Sequence, residues 1–212
     1  MFTGIVREIG KIKYIRREGD ILGLEITSKA AAAGIRVGDS VAVNGVCLTV
    51  VKSGPGVLKF EIMEETARRS TFPYLTEGNP VNLEGAMKAD GAFDGHFVQG
   101  HIDCVGTIKD IGKNENGFLM KIGLPGGFEG LYVDKGSVAI EGVSLTISKA
   151  KDKEFEVYII PHTLKETTLG LKKSEEKVNV EFDVIGKYAA KMQSGRKKTE
   201  VTEKFLEDKG FI

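Results

Sequence analysis

A repeated segment constrains the fold of this chain more than any other feature of its sequence. Residues 40–50, SVAVNGVCLTV, recur 97 positions later as SVAIEGVSLTI at 137–147, with seven identities in eleven positions and two exchanges of valine for isoleucine. Further matches keep the same order along the chain, which indicates an internal duplication. These matches pair Thr66 with Thr163, 81–84 with 178–181 and, at an offset of 96, 4–10 with 100–106.

The duplication divides the 212 residues into two homologous domains and a tail. We place the first domain at 1–96, the second at 97–186 and a helical tail at 187–212. Because the tail belongs to neither repeat, its apolar face packs either on its own chain or against neighbouring subunits in an oligomer. That face has helical spacing and consists of Ile185, Tyr188, Ala189 and Met192, continued by Val201, Phe205 and Leu206 as far as Gly210.

Within each half, apolar and polar residues alternate with the period of two that is typical of β-strands. Apolar residues occupy every second position at 58–62 and at 155–159, and turn-forming residues such as those at 113–117 separate such segments. About six short antiparallel strands per half close most readily into a barrel, which leaves no exposed sheet edge. The sequence therefore predicts an all-β fold of two homologous six-stranded barrels plus a C-terminal α-helix. It also predicts short helices at 28–34 and, from a capping-box pattern, at 163–166.

Composition excludes several classes of partner. Thirty Lys and Arg balance thirty Asp and Glu, so no basic excess favours nucleic acid or a membrane surface. The longest apolar runs fall far short of the roughly 20 residues that a membrane helix requires, and the first residues lack the pattern of a signal peptide. Cys47 and Cys104 are therefore expected to be free thiols in a reducing cytoplasm.

The repeated strand carries the first candidates for chemistry. Along 46–50 the apolar residues face the barrel interior, so Cys47 and Thr49 point outward. Ser144 and Thr146 take the same places in the second copy. Small polar residues at both positions in both copies fit a binding surface. The alternative is an ordinary β-rich surface on which the cysteine serves as a small hydrophobic residue.

The histidines distinguish the second half from the first. All three, His96, His101 and His162, lie from the junction of the halves onward. The first half has Ile5 at the place of His101 and Glu65 at the place of His162. One half therefore offers a thiol and the other offers imidazoles, which makes the histidines candidates for acid–base catalysis.

No motif for a metal or a cofactor accompanies these residues. The histidines and cysteines lack the spacing of a metal site, and the two cysteines form no CxxC pair. The chain has no Walker A loop, no G-x-G-x-x-G after a strand and no GxSxG elbow. The sequence thus predicts chemistry without metal or cofactor, in which the substrate supplies the reacting electrons.

Five segments along the chain together carry a resemblance to a known family. They are MFTGIV at 1–6, NGVCLTV at 44–50, GHFVQGHID at 95–103, EGVSLTI at 141–147 and HTLKETTLG at 162–170. In this order they resemble the trimeric, duplicated-barrel type of riboflavin synthase, and the resemblance covers essentially the whole chain. The chain departs from the family's frequent residues at Asp94, where glycine is common, and at Glu141, where aspartate is common. The longer Glu141 side chain is expected to sit differently in the site.

The resemblance implies Greek-key barrels and a dismutation as the reaction. Two molecules of 6,7-dimethyl-8-ribityllumazine would exchange a four-carbon unit and give riboflavin and 5-amino-6-(ribitylamino)uracil, without a cofactor. One molecule is the donor and the other the acceptor, so two similar but non-identical pockets are needed. By resemblance, the helical tail holds a homotrimer whose active sites lie between subunits, and lumazine synthase is a possible partner.

Two other classes of function compete with this one. A non-catalytic lumazine- or flavin-binding antenna protein would use the same duplicated barrel, but it would not need the candidate base and thiol. A flavin-domain fragment of a reductase also uses a small six-stranded barrel, but it would require a nucleotide-binding βαβ segment that this sequence lacks.

The resemblance also implies two sets of substrate-binding residues, one for each half. The expected first set is Gly4, Ile5, Val6, Cys47, Leu48, Thr49, Glu61, Ile62, Met63, Glu64, Glu65 and Thr66. The expected second set is Gly100, His101, Ile102, Lys135, Ser144, Leu145, Thr146, Ile159, Ile160, Pro161, His162 and Thr163.

Six of the candidate residues are expected to be catalytic. His101 is suited to take a proton from the 7-methyl group of one substrate. Water, Ser144 or Cys47 would add to the other substrate as nucleophile. Phe2 would close over the ring, and the last two, Lys135 and Asp183, would bind ribityl hydroxyls or steady charge.

Overall fold

The structure, a computed structural model, describes residues 1–29, 34–114, 117–194, 206–207 and 210. Residues 30–33 of the predicted helix at 28–34 and most of the predicted tail after residue 194 lie outside the described residues. Among the described residues, no helix is long and apolar enough to span a membrane.

The first half forms a closed antiparallel barrel of six strands within its described part. The strands pair in the order β1-β2-β5-β4-β3-β6, a Greek-key arrangement. The strands are β1 Glu8–Glu18, β2 Ile21–Thr27, β3 Ser40–Val43, β4 Val46–Gly54, β5 Val57–Met63 and β6 Pro80–Gly85.

The described part of the second half forms a closed barrel of the same topology, with the order β7-β8-β11-β10-β9-β12. The predicted all-β architecture is therefore confirmed. The strands are β7 Cys104–Asn114, β8 Gly117–Gly123, β9 Ser137–Ile140, β10 Val143–Lys151, β11 Glu154–Ile159 and β12 Lys177–Phe182.

Irregularities in strand pairing recur at equivalent places in the two barrels. The register shifts between Ile12 and Tyr14 in β1 and between Val50 and Lys52 in β4. Matching shifts occur in β7 and β10. Because a β-bulge bends its strand and increases its twist, these positions help each long strand to curve around its barrel.

Each barrel has its own apolar core, and the alternation in sequence accounts for it. In β5 the side chains of Leu58, Phe60 and Ile62 are buried, whereas those between them are partly or fully exposed. The second core follows the same pattern in β11, and its largest members include Phe155 and Phe182. Inward apolar residues on every strand thus supply the hydrophobic stabilisation of each barrel.

The barrels pack about a pseudo-two-fold axis that passes between Gly45 and Gly142. Both glycines have φ near +80°, and a Cβ on either would lie 2.7 Å from the backbone nitrogen of the other. Asn82 and Asn179 cross this axis, and each side-chain amide donates at 2.9 Å to a carbonyl of the opposite barrel. This close approach requires glycine at both positions.

Short helices follow β5 and β11. These are α1 (Glu64–Arg68) and α2 (Pro161–Glu166), each followed by a 3₁₀ turn, Phe72–Tyr74 and Thr168–Leu171 respectively. The capping-box prediction is wrong, because Thr163 is the third residue of α2 and Pro161 begins the helix. Proline fits the first helical position because its φ is already helical and that position needs no N–H donor.

The last described helix, α3 (Val184–Ser194), leaves an apolar face uncovered in this chain. Ile185, Tyr188 and Met192 share this face and are 63%, 70% and 75% exposed. The helical stripe predicted at the start of the tail is confirmed, and its exposure means that the described part of the chain does not cover it.

Candidate active site

The segments that precede the two barrels cross over to the opposite barrel. The N–H of Ser144 in β10 donates to the carbonyl of Gly4 at 2.8 Å, and that of Cys47 in β4 donates to the carbonyl of Gly100 at 2.9 Å. Gly4 and Gly100 have φ of +78° and +83°. A Cβ on either would lie 2.6 or 2.5 Å from the Cβ of its partner, so both crossings require glycine.

This crossing corrects the expected grouping of site residues. The family resemblance implies that Gly4–Val6 group with Cys47, and Gly100–Ile102 with Ser144. The structure exchanges these segments between the barrels. The repeat shows which residues are equivalent, but the choice of barrel for each crossing segment depends on long-range backbone hydrogen bonds that leave no sequence pattern.

A cavity of about 710 Å³ opens on the first barrel. It brings together Cys47 and His101, the two side chains expected to act as nucleophile and base. The cavity also contains several residues that sequence reasoning missed, namely Asp20, Val46 and Arg69. Its other lining residues are Met63, Glu64, Glu65, Thr66, Gly100 and Ile102.

A smaller cavity of about 460 Å³ opens where the N-terminal segment and the start of β1 meet α2 of the second barrel. Of the predicted residues, Val6 and His162 line it. Four further residues line it that sequence reasoning missed: Arg7, Glu8, Ile9 and Glu166.

At the crossing of the N-terminal segment, Ser144 forms a side-chain hydrogen bond with His96. The Oγ atom of Ser144 lies 2.7 Å from Nδ1 of His96, and the imidazole tautomer decides which atom donates. Nε2 of His96 is buried and has no hydrogen-bond partner among the described residues. Burial lowers the pKa of His96, while the nearby charge of Asp183 partly opposes this shift. A neutral imidazole is therefore paired with the hydroxyl of Ser144.

Several predicted residues lie away from both cavities. Phe2 is fully buried against Ala42, Val98 and Ala139, so it anchors the N-terminal segment and does not lie free to close over a ring. The predicted residues that face the barrel cores are Leu48, Ile62, Leu145 and Ile159. Those that line neither cavity are Thr49, Glu61, Lys135, Thr146, Ile160, Pro161, Thr163 and Asp183, together with Gly4, Ile5 and Ser144 at the crossing itself.

Glu141 also departs from its expected place. It is fully buried beside the pseudo-two-fold axis, where its Oε1 accepts from the N–H of Asn179 at 2.7 Å. Its Oε2 lies 3.4 Å from Nζ of Lys172. The carboxylate therefore belongs to the contact between the barrels, and it lines neither cavity.

Two glutamates that sequence reasoning did not select hold the crossing segments. Glu84 accepts backbone N–H groups of Thr3 and Gly4, and Glu181 accepts those of residues 99–101. The available signal was the anchor VNLE at 81–84, which recurs as VNVE at 178–181 with the same final glutamate.

The thiol, hydroxyl and imidazole groups of this site can transfer protons and add to a carbon centre without a metal. Across the described ranges, no cluster of three or more histidine, cysteine or acidic side chains could hold a metal ion. The predicted candidates His101 and Cys47 share one cavity, and Ser144 and His96 form a pair at the other crossing.

Comparison with known proteins assigns a class to this duplicated architecture. The lumazine binding domain family matches the chain twice, at residues 3–86 and 99–183. Solved structures of LumP align over most of the chain. The complex with 6,7-dimethyl-8-(1'-D-ribityl) lumazine has a TM-score of 0.77 and 30% identity, and covers 85% of this chain and 98% of LumP. The riboflavin complex has a TM-score of 0.78 and 31% identity, and covers 86% and 99%. The chain is thus a duplicated lumazine-binding protein.

Relatives that match over the full length of the chain identify its family within this class. Riboflavin synthase of Actinobacillus pleuropneumoniae is 40% identical, and that of Bacillus subtilis is 37% identical, each over 100% of both chains. The Mycobacterium tuberculosis enzyme is 40% identical over 91% of this chain and 98% of its own. This chain belongs to the riboflavin synthase family.

Proposed function

We propose that the chain catalyses the dismutation of two molecules of 6,7-dimethyl-8-ribityllumazine to riboflavin and 5-amino-6-(ribitylamino)uracil. One molecule donates a four-carbon unit and the other accepts it, so the reaction is a group transfer and the enzyme a transferase. The observation that carries this proposal is the pair of crossings on one repeated scaffold, with Cys47 at one and Ser144 at the other. A reaction between two copies of one substrate needs two related but non-identical binding sites.

The cavity of the first barrel supplies a base and a nucleophile. His101 is exposed at its rim and takes a proton from the 7-methyl group of the bound lumazine. Cys47, Ser144 or a water adds to the second lumazine. Holding the two rings face to face converts an encounter of two molecules into a reaction within one complex, which contributes several kcal/mol.

Two further candidates, Asp183 and Lys135, influence the charge of the site and contact the ribityl chain of the substrate. Asp183 lies close enough to His96 for its charge to influence that imidazole's pKa, so it steadies the His96–Ser144 pair. Lys135 is exposed beside β9 and is available to ribityl hydroxyls of a substrate bound at a subunit contact.

We further propose a homotrimer in which cavities of neighbouring subunits face each other. The exposed apolar face of α3 supports this proposal, because an uncovered stripe of Ile185, Tyr188 and Met192 is costly in water. We also propose a cytoplasmic location, which the free thiols Cys47 and Cys104 favour. Lumazine synthase, which makes the substrate, remains the proposed partner.

The alternative function is binding without turnover. The LumP structures with ribityllumazine, flavin mononucleotide and riboflavin support it, since they bind such ligands on a related fold. The full-length resemblance to riboflavin synthases and the presence of Cys47, His101 and Ser144 favour the enzyme.

One experiment separates the two functions. The purified protein is mixed with 6,7-dimethyl-8-ribityllumazine without added cofactor, and flavin absorbance is followed while both products are quantified. We expect one riboflavin for every two lumazines consumed, and strongly reduced turnover in a folded C47A/H101A variant. Tight binding with no riboflavin would establish the binding function instead.

A further inference from the structure

Two buried glutamates occupy equivalent places on the last strand of each barrel. Glu84 lies in β6 and Glu181 in β12, and their side chains are almost completely buried, with 6% and 1% exposure. Neither lines the cavity of the first barrel or that of the second. A buried carboxylate is costly unless hydrogen bonds satisfy it, so its partners indicate its role.

The partners of Glu181 are backbone N–H groups of the segment that crosses to the first barrel. Its Oε1 accepts from Gln99 at 2.7 Å, and its Oε2 accepts from Gly100 at 2.9 Å and His101 at 3.1 Å. The same segment contacts the candidate site directly, because the carbonyl of Gly100 accepts the N–H of Cys47 at 2.9 Å. One carboxylate therefore fixes the backbone that carries His101 beside Cys47.

Glu84 holds the other crossing in the same way. Its Oε1 accepts from the N–H and the hydroxyl of Thr3 at 2.7 and 2.9 Å, and its Oε2 accepts from the N–H of Gly4 at 3.0 Å. The carbonyl of Gly4 in turn accepts the N–H of Ser144 at 2.8 Å. Each glutamate thus holds the leading segment of its own half against the strand of the opposite half.

The chemistry of the contact explains why a carboxylate is used. Several N–H donors converge on each glutamate, and the two oxygens of a carboxyl group retain acceptor capacity for them even when the group carries a proton. A glutamine of the same shape would turn an NH₂ group toward at least one of these donors and leave it unsatisfied.

We propose that Glu181 and Glu84 are positioning residues of the two crossings, Glu181 for the segment that brings His101 into the cavity of Cys47 and Glu84 for Gly4 against Ser144. This inference rests on the proposed function, because it assigns each glutamate to one of the two sites of the dismutation. Each acts through the backbone that it binds and does not touch the reacting atoms.

The test compares E181Q with its matched control E84Q. The first readout is the rate at which a small thiol reagent labels Cys47, followed by mass spectrometry with buried Cys104 as internal reference. We expect E181Q to change this rate at least about threefold, because the N–H bond of Cys47 to Gly100 is no longer fixed, and E84Q to leave it within about twofold. The loss of one hydrogen bond typically changes an equilibrium by about fivefold, and this factor is the basis for the expected change in labelling rate.

The second readout is turnover. We expect both variants to lower kcat by about tenfold or more, with a smaller change in KM, since misplaced groups affect the reacting geometry more than binding. If E181Q does not fold, E181D keeps both acceptor oxygens on a shorter side chain, and its Cys47 labelling rate is expected to differ from the wild-type rate at least about threefold.

The proposal would be overturned if the folded Glu181 variants label Cys47 at the wild-type rate. It would equally be overturned if E84Q and E181Q changed that rate alike, which would indicate general loosening. The labelling readout does not need turnover, so it tests positioning even if the wild-type protein makes no riboflavin. Failure of the proposed function and failure of this inference are therefore distinguishable.

Discussion

The two crossings share a backbone arrangement and differ in their side chains. At the first barrel, Cys47 meets the segment that carries His101 beside a cavity of about 710 Å³. At the second barrel, Ser144 meets the N-terminal segment and pairs with His96, and neither side chain lines the cavity of about 460 Å³. The duplication thus preserved the backbone geometry of the two crossings while their side chains diverged, and such divergence is what the proposed dismutation needs of a donor and an acceptor site.

A second difference between the halves lies at the pseudo-two-fold axis. Asn44 and Glu141 occupy equivalent positions, and each accepts the N–H of an asparagine in its own barrel at 2.7 Å. Glu141 brings a buried charge, and Lys172 approaches it at 3.4 Å with a side chain that is 15% exposed. Leu75 stands at the place of Lys172 in the first half. The charged residue and its cation thus occur together in one half and are both absent from the other.

The largest expected effect comes from breaking one crossing and not the other. In G100A, the new methyl group would lie 2.5 Å from the Cβ of Cys47 at a φ of +83°. We expect at least a hundredfold loss of kcat and about 3 to 4 kcal/mol lower unfolding free energy, from strain and overpacking together. Turnover assays and urea denaturation measure these. G112A is the control, because nothing lies within 4 Å of a Cβ there. Normal turnover in G100A would contradict the close crossing.

The second-largest expected effect tests the difference between the two halves at the pseudo-two-fold axis. K172L removes the cation and leaves the carboxylate of Glu141 buried, which we expect to cost about 3 kcal/mol. The double variant E141N/K172L reproduces the Asn44 and Leu75 arrangement of the first half, and we expect it to recover stability to within about 1 kcal/mol of the wild type. A double-mutant cycle by urea denaturation measures this coupling. Additive losses would show that the two residues do not act as a pair.

The smallest effect is the pH dependence that Glu181 contributes in the second half; burial also raises the pKa of the equivalent Glu84 in the first half. Burial raises the pKa of Glu181 to about 7 despite the N–H donors of Gln99 and Gly100 and the charge of Lys187, and the charge of Asp103 raises it further. The unfolded pKa is near 4.5, so folding favours the protonated form. Its stabilising contribution is full below pH 4.5 and is lost as pH rises through about 7, a change of about 2 kcal/mol between pH 5 and 8.

The variant E181Q isolates this contribution. We expect the unfolding free energy of the wild type to fall more between pH 5 and 8 than that of E181Q, by about 2 kcal/mol. Thermal and urea denaturation at several pH values measure the difference. Parallel pH profiles for the two proteins would place the pKa of Glu181 near its ordinary value.

Much of the fold followed from local patterns in the chain. Alternation at 58–62 predicted the inward face of β5, and the same reasoning placed Cys47 and Thr49 on the outer wall of the first barrel. The glutamates of the two VNxE anchors were visible as repeated residues, but their partners are backbone groups about 80 positions away in sequence. No local pattern indicates such a partner.

The sequence by itself determined the duplicated all-β architecture, because hydrophobic alternation and repetition are encoded residue by residue. It also determined which residue types the two halves could offer to chemistry, a thiol in one and a hydroxyl with imidazoles in the other. The tertiary structure alone decided that Gly4 lies on Ser144, that Gly100 lies on Cys47 with His101 in the same cavity, and that Phe2 is buried. These contacts join residues far apart in the chain through backbone hydrogen bonds, which almost any sequence of residues can form.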